Sequence, residues 1–137
     1  MKLRFVAAAV VLAVALAGCA AQGPAFQRAE GPPNSAVIYV YRPYSFFGSL
    51  IHPVVECDGQ SAAIEPGAYH AFVVPAGHTG CRAGTESEDE VEIDADPRVH
   101  YLRERISWGW LVGRPHLDPM DQDQAQAEIQ SCCVQQP

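Results

Sequence analysis

Turn-forming residues cut the middle of this chain into pieces too short for ordinary helices. Pro43, Asp58-Gly59, Pro66-Gly67, Pro75-Ala76-Gly77 and Asp96-Pro97 punctuate it, and turn signals at spacings of about 8–12 residues belong to sandwiches and barrels. Between them lie runs rich in β-branched and aromatic residues, which suit a pleated, half-buried surface. Strands are expected at residues 36–42, 51–57, 60–64, 69–74, 78–85, 88–94 and 99–108. The stretch from Asp121 to Gln130 differs, with good helix formers and Ala125 and Ile129 four apart on one face. Asp118 or Asp121 could cap that helix. The expected fold is mainly β: a single antiparallel β-sandwich of about six to eight strands, immunoglobulin- or prealbumin-like, with a short C-terminal α-helix at about residues 119–131.

The first residues carry a different signal. Lys2 and Arg4 precede an uncharged apolar run from Phe5 to Ala17 that is too short to span a bilayer as a permanent helix. It ends in Leu16-Ala17-Gly18-Cys19, which resembles the lipobox of bacterial lipoprotein signal peptides. The resemblance implies that residues 1–18 form a signal-peptide helix that is removed, and that Cys19 is lipidated. It also implies a chain anchored to a membrane by lipid rather than spanning it, since two or more acyl chains hold stably. Ala20, in place of Asp, favours the outer membrane, on the inner leaflet facing the periplasm. Residues 19–34 hold Gly23, Pro24, Gly31, Pro32 and Pro33 and read as the lipidated N-terminus and a flexible tether. Residues 35–133 then form one domain, and the length leaves no room for a second.

Charge narrows the partners. Without residues 1–18, seven basic residues face 16 acidic ones, a net charge of −9, and no lysine remains. Affinity for phosphate backbones comes from Lys and Arg, so a nucleic-acid partner is not expected. The lipid, not headgroup electrostatics, must do the anchoring.

Four cysteines remain after Cys19: Cys57, Cys81, Cys132 and Cys133. An even number in an oxidising compartment reads as a disulfide framework with three possible pairings. Adjacent Cys132 and Cys133 would make a strained ring outside normal disulfide spacing. Cys57–Cys81 is the first choice, with the two C-terminal cysteines left over or crosslinked otherwise. The pairings that tie the tail back to the body stay open. His78 and Cys81 stand at metal-like spacing, but no C-x-x-C partner accompanies them.

Residues 86–96 are strongly acidic, yet strand parity places Glu88, Glu90, Glu92 and Asp94 on one face and Val91 and Ile93 on the other. That is a solvated face over a core face, and it discourages edge pairing. The run lacks the glycine and terminal glutamate of an EF-hand loop. His52, His70, His78, His100 and His116 form no H-E-x-x-H pair. No G-x-S-x-G elbow and no phosphate-cradling glycine loop occurs. No catalytic residue, metal ligand or cofactor is therefore assigned. A hydrolase would need a Ser/His/Asp cluster assembled by the fold.

Aromatic residues are the remaining signal. Tyr44, Phe46 and Phe47 follow the first strand, and Trp108 and Trp110 end the last. Such residues near arginine are what protein-interaction surfaces use, and stacked aromatics also bind sugars. Alternatively, Phe46, Phe47 and one tryptophan could plug the open end of a small sandwich. The expected function is a non-enzymatic protein-interaction module of the cell envelope. A glycan- or small-ligand-binding lipoprotein is the alternative.

Val40-Tyr41-Arg42-Pro43, Phe47-Gly48-Ser49, Asp58-Gly59, Tyr69 with Phe72, and Val74-Pro75-Ala76-Gly77-His78 occur in that order. Tyr101-Leu102-Arg103, Gly113-Arg114-Pro115 and the helix before Cys132 follow. The series resembles domain-of-unknown-function family 2846, small bacterial β domains that are mostly lipoproteins. The resemblance covers about residues 36–132 and implies a two-sheet fold. It departs at Pro75-Ala76-Gly77, where the family often has a second proline, in the acidic strand, and in the extra cysteines. It transfers no catalytic residue.

Overall fold

A computed structural model describes residues 26–85, 88–110 and 113–136. The signal-peptide helix, Leu16, Ala17, Gly18 and Cys19 lie outside the described residues. Nine strands and one helix follow in order: β1 Ser35–Arg42, β2 Val54–Cys57, β3 Gln60–Ala63, β4 Ala68–Pro75, β5 Gly77–Gly84, β6 Glu88–Ala95, β7 Val99–Ser107, β8 Arg114–Pro119, α1 Gln122–Cys132 and β9 Val134–Gln135. They build a five-stranded sheet, β8-β7-β1-β4-β9, and a four-stranded sheet, β3-β2-β5-β6.

β1 organises both. Its run Ala36-Val37-Ile38-Tyr39-Val40-Tyr41 is apolar at every position, the pattern of a strand covered on both faces. Ala36, Ile38 and Val40 join Phe72, Val74, Leu102 and Leu117 of their own sheet, and Val55, Cys57, Cys81 and Ala83 of the other, in one core between the sheets. Val37, Tyr39 and Tyr41 turn the opposite way, toward Tyr69, Tyr101 and the helix residues Ala125 and Ile129. Asp121 caps α1, its carboxylate accepting from the backbone N–H groups of Asp123 and Gln124. The Tyr41 hydroxyl donates to Glu128 at 2.7 Å and Gln126 donates to the Tyr101 hydroxyl at 2.8 Å, which seats the helix on the sheet.

Two features correct the antiparallel expectation. β1 runs parallel to β7, with Val37 opposite Val99 and Tyr41 opposite Arg103, and β9 runs parallel to β4. Parallel neighbours need a long crossover. Here the whole four-stranded sheet and β4 are threaded between β1 and β7. That second sheet is antiparallel throughout. The strand number also exceeds the expected range, because β8 and β9 add to the seven strands expected from the turn signals. β8 contains Pro115 and Pro119, and an edge strand tolerates proline because one side makes no ladder. The β2–β3 turn is as its Asp-Gly pair demands: Asp58 and Gly59 have φ of 49° and 75°, the left-handed values of a type I′ hairpin.

Cys57 and Cys81 face each other across β2 and β5 and form a disulfide with a Cα–Cα separation of 4.3 Å. Cys132 and Cys133 are also joined, against the expectation for adjacent residues. The bond sits where α1 stops. Cys133 leaves the helix with extended backbone angles of −133° and 143°, so the two side chains are not held in helical register. Pairing of the tail to Cys57 or Cys81 is thereby overturned, and Cys81 has no thiolate to offer a metal beside His78.

Part of the stretch read as tether is packed. Phe26 lies edge-on to Tyr39 and Tyr69, with ring centroids 5.1 and 5.5 Å away, and the Ala29 N–H donates to the Tyr39 hydroxyl. Burial of the Phe26 ring against two tyrosines offsets part of the entropy cost of ordering the chain before β1. Among the described residues no helix is long and apolar enough to cross a membrane.

Candidate functional site

β1 and β7 are parallel, so both finish at the same end of the domain. The residues that follow them, 43–53 after β1 and 108–110 with Gly113 after β7, therefore meet there. Two glycines make the meeting close. A Cβ on Gly48, whose φ is +79°, would lie 2.8 Å from the Ile106 Cβ. A Cβ on Gly113 would come within 2.4 Å of Ile106 and 2.5 Å of Ile51. Ile106 is thus clamped between the loops; a side chain at Gly48 would meet the Ile106 Cβ from a left-handed backbone, and one at Gly113 would have to displace methyl groups of Ile106 and Ile51.

Arg42 fastens the first loop from beneath. Its buried guanidinium donates to the carbonyls of Ile51, Ile64 and Gly48 at 2.9, 3.1 and 2.7 Å. Arg42, which precedes the aromatic loop, is therefore an internal brace. Near it, on the inner face of β7, lies Glu104, 1% exposed. Neither carboxyl oxygen of Glu104 meets a hydrogen-bond partner among the described residues. Burial pushes its pKa up to about 7, and the positive charge of Arg42 works against that rise. A cleft of about 240 Å³ opens beside them, lined by Pro43, Tyr44, Phe47 and residues 103–106. Parity along β7 carries the one sequence signal for Glu104, an acid in register with inward-facing Leu102.

The five aromatics come together at this end, and the plug alternative fails for most of them. Tyr44 is 69% exposed, Phe46 89%, Trp108 81% and Trp110 96%, with Leu50 beside them at 90%. Phe47 is half-buried and stacks on Trp108 with centroids 3.9 Å apart. The space between the sheets is already filled by Ile38, Val40, Phe72 and Leu102. Large apolar groups left outside in this number make this end a candidate contact surface.

One polar constellation has no counterpart in the sequence motifs. The Ser107 Oγ and His116 Nε2 stand 2.8 Å apart, and the His116 Nδ1 lies 3.9 Å from the Asp89 carboxylate. The residue types are those of a hydrolytic triad, but the last distance exceeds a hydrogen bond. That same Asp89 oxygen accepts the Leu117 N–H at 2.9 Å, closing the open edge of β8. On β6, the carboxylates of Glu90, Glu92 and Asp94 face solvent, while Val91 and Ile93 pack on the core. His78 pairs with Asp94 and Glu92 across the β5–β6 ladder, and both raise its pKa. A cleft of about 650 Å³ lies at the other end of β1, between residues 28–35 and 97–99, without a comparable cluster of reactive groups.

No family model, no curated protein and no solved structure matches the chain.

Proposed function

We propose that this chain is a lipid-anchored, non-enzymatic interaction module of the bacterial cell envelope, docking through its aromatic end. The observation that carries this is the outward placement of Tyr44, Phe46, Leu50, Trp108 and Trp110 on two loops clamped together at one end. The lipobox at Leu16–Cys19 supports the anchor, and the order of motifs from Val40-Tyr41-Arg42-Pro43 onward supports a relationship to family 2846. The shared core between two sheets supports a sandwich of the immunoglobulin- or prealbumin-like kind, modified by the parallel β1–β7 pair. Stacking of Phe47 on Trp108 covers one face of each ring that a bound sugar would need, which favours docking over glycan binding. A photoreactive phenylalanine placed at position 46 or 110 in intact cells is expected to give crosslinked adducts, whereas one at exposed position 94 gives none. Absence of adducts at both aromatic positions would remove the docking reading.

The Ser107–His116–Asp89 set favours a second reading, a hydrolase. Against it, Asp89 is held by the Leu117 amide and does not reach the imidazole, so no carboxylate among the described residues orients the Nδ1–H as a catalytic triad requires. The purified protein is expected to resist labelling by a fluorophosphonate probe. Labelling that disappears in Ser107→Ala would replace the module reading with the enzyme.

A further inference from the structure

The path of the chain before β1 bears on what the aromatic end touches. Gly31 lies beside Ser35 and Val37. Phe26 lies between Tyr39 and Tyr69, and Tyr69 is the partner of Tyr41 in the β1–β4 register. Followed backward from Gly31, the chain therefore runs antiparallel over the outer face of β1, toward the Arg42 end. That is the end carrying the aromatic loops. Six residues separate Phe26 from Cys19, so the two Cα atoms can lie at most about 25 Å apart. That reach covers either end of β1, so the heading of the chain at Phe26, toward the Arg42 end, is what favours the aromatic end over the turn at Asp96–Arg98 as the side that a lipidated Cys19 holds toward the bilayer.

Charge is arranged to match. The chain is strongly acidic, yet residues 43–53 and 107–114 contain no Asp or Glu. Tryptophan and tyrosine with exposed leucine and phenylalanine are the side chains that settle at the headgroup level of membranes, where one part of the ring is apolar and another is wet.

We infer that the aromatic end, led by Phe46, Leu50, Trp108 and Trp110, inserts into the interface of the bilayer in which the chain is anchored. It would fix the orientation of the domain rather than its attachment. The inference rests on the reading of Cys19 as lipidated and of this end as the docking surface.

Trp108 and Trp110 are the two tryptophans of the chain, so intrinsic fluorescence reports on this surface alone. The full-length lipoprotein, purified in detergent, is reconstituted into phosphatidylcholine–phosphatidylethanolamine vesicles with or without doxyl-labelled phosphatidylcholine. Expected are a shift of emission to shorter wavelength and quenching by the doxyl lipid, both weakened by Phe46→Ser with Leu50→Ser. Vesicle flotation and the mass of the Cys19 peptide report anchoring separately. Flotation with a lipidated Cys19 but unquenched, water-like emission overturns the insertion, leaves the anchor standing, and returns the surface to a protein partner. Loss of flotation with an unmodified Cys19 overturns the anchor reading and the insertion together.

Discussion

Replacing both Cys57 and Cys81 by alanine is expected to destabilise the domain by about 3 kcal/mol. The bond joins residues 24 apart in sequence, and removing it restores the loop freedom that the crosslink denies the unfolded chain. The two sulfurs also leave the centre of the core, where both cysteines are fully buried, so alanine is preferred to serine, whose hydroxyls would be stranded there. Urea denaturation measures the effect. The midpoint should fall, and the slope should rise slightly, because the unlinked denatured chain exposes more surface. The matched control is Cys132→Ala with Cys133→Ala. That pair is adjacent in sequence and closes no loop of consequence, so its removal should leave the midpoint nearly unchanged. Equal losses for the two pairs would show that the framework acts through native contacts rather than through the unfolded chain.

The contrast between the two disulfides shows what was legible in the sequence and what was not. Cys57–Cys81 is only the first choice among three pairings in the sequence, since nothing local says that β2 lies beside β5, and the register of those strands is what brings the two together. The vicinal pair could not be foreseen from spacing, since it depends on the backbone leaving α1 at that residue. The same division runs through the fold. The Asp58-Gly59 hairpin, the alternating acidic strand and the Asp121 cap are local devices, and they appear where their residues sit. The pairing of β1 with β7 is not local: a strand's composition says that it is buried on both faces, not which strand lies beside it. β8 was hidden by its prolines, which only its edge position excuses. The five aromatics were readable as a group, but not as exposed. That outcome turned on the inter-sheet space being filled by Ile38, Val40, Phe72 and Leu102, and on Gly48 and Gly113 pressing both loops onto Ile106. Glu104 and Ser107 needed the register of β7 before either could be connected with Arg42 or His116.

Glu104 gives the domain a stability that should fall as pH rises toward neutrality. Its folded pKa of about 7 lies above the ordinary value of 4.5, so between those limits the folded domain keeps a proton that the unfolded chain releases. Stability is therefore fullest below about pH 4.5, declines through the window from 4.5 to 7, and is lower above it by about 3 kcal/mol, since each tenfold change in proton affinity between the folded and unfolded chain is worth about 1.4 kcal/mol. Other groups titrate in the same range and would mask this in the wild-type curve alone; His78, for instance, is raised by Asp94 and Glu92. The difference between wild type and Glu104→Gln isolates it. Glutamine resembles the protonated acid in shape and cannot ionise. Any fixed cost of its extra amide N–H groups shifts the whole curve without bending it. Arg42 keeps its three carbonyl partners in the variant, so the first loop stays braced. Measured by urea denaturation from pH 4 to pH 8, the stability of the variant relative to wild type should climb by about 3 kcal/mol, with most of the climb between about pH 5 and pH 7. A difference independent of pH would mean that Glu104 ionises at an ordinary value, and that water or movement of the side chain relieves its burial beside Arg42.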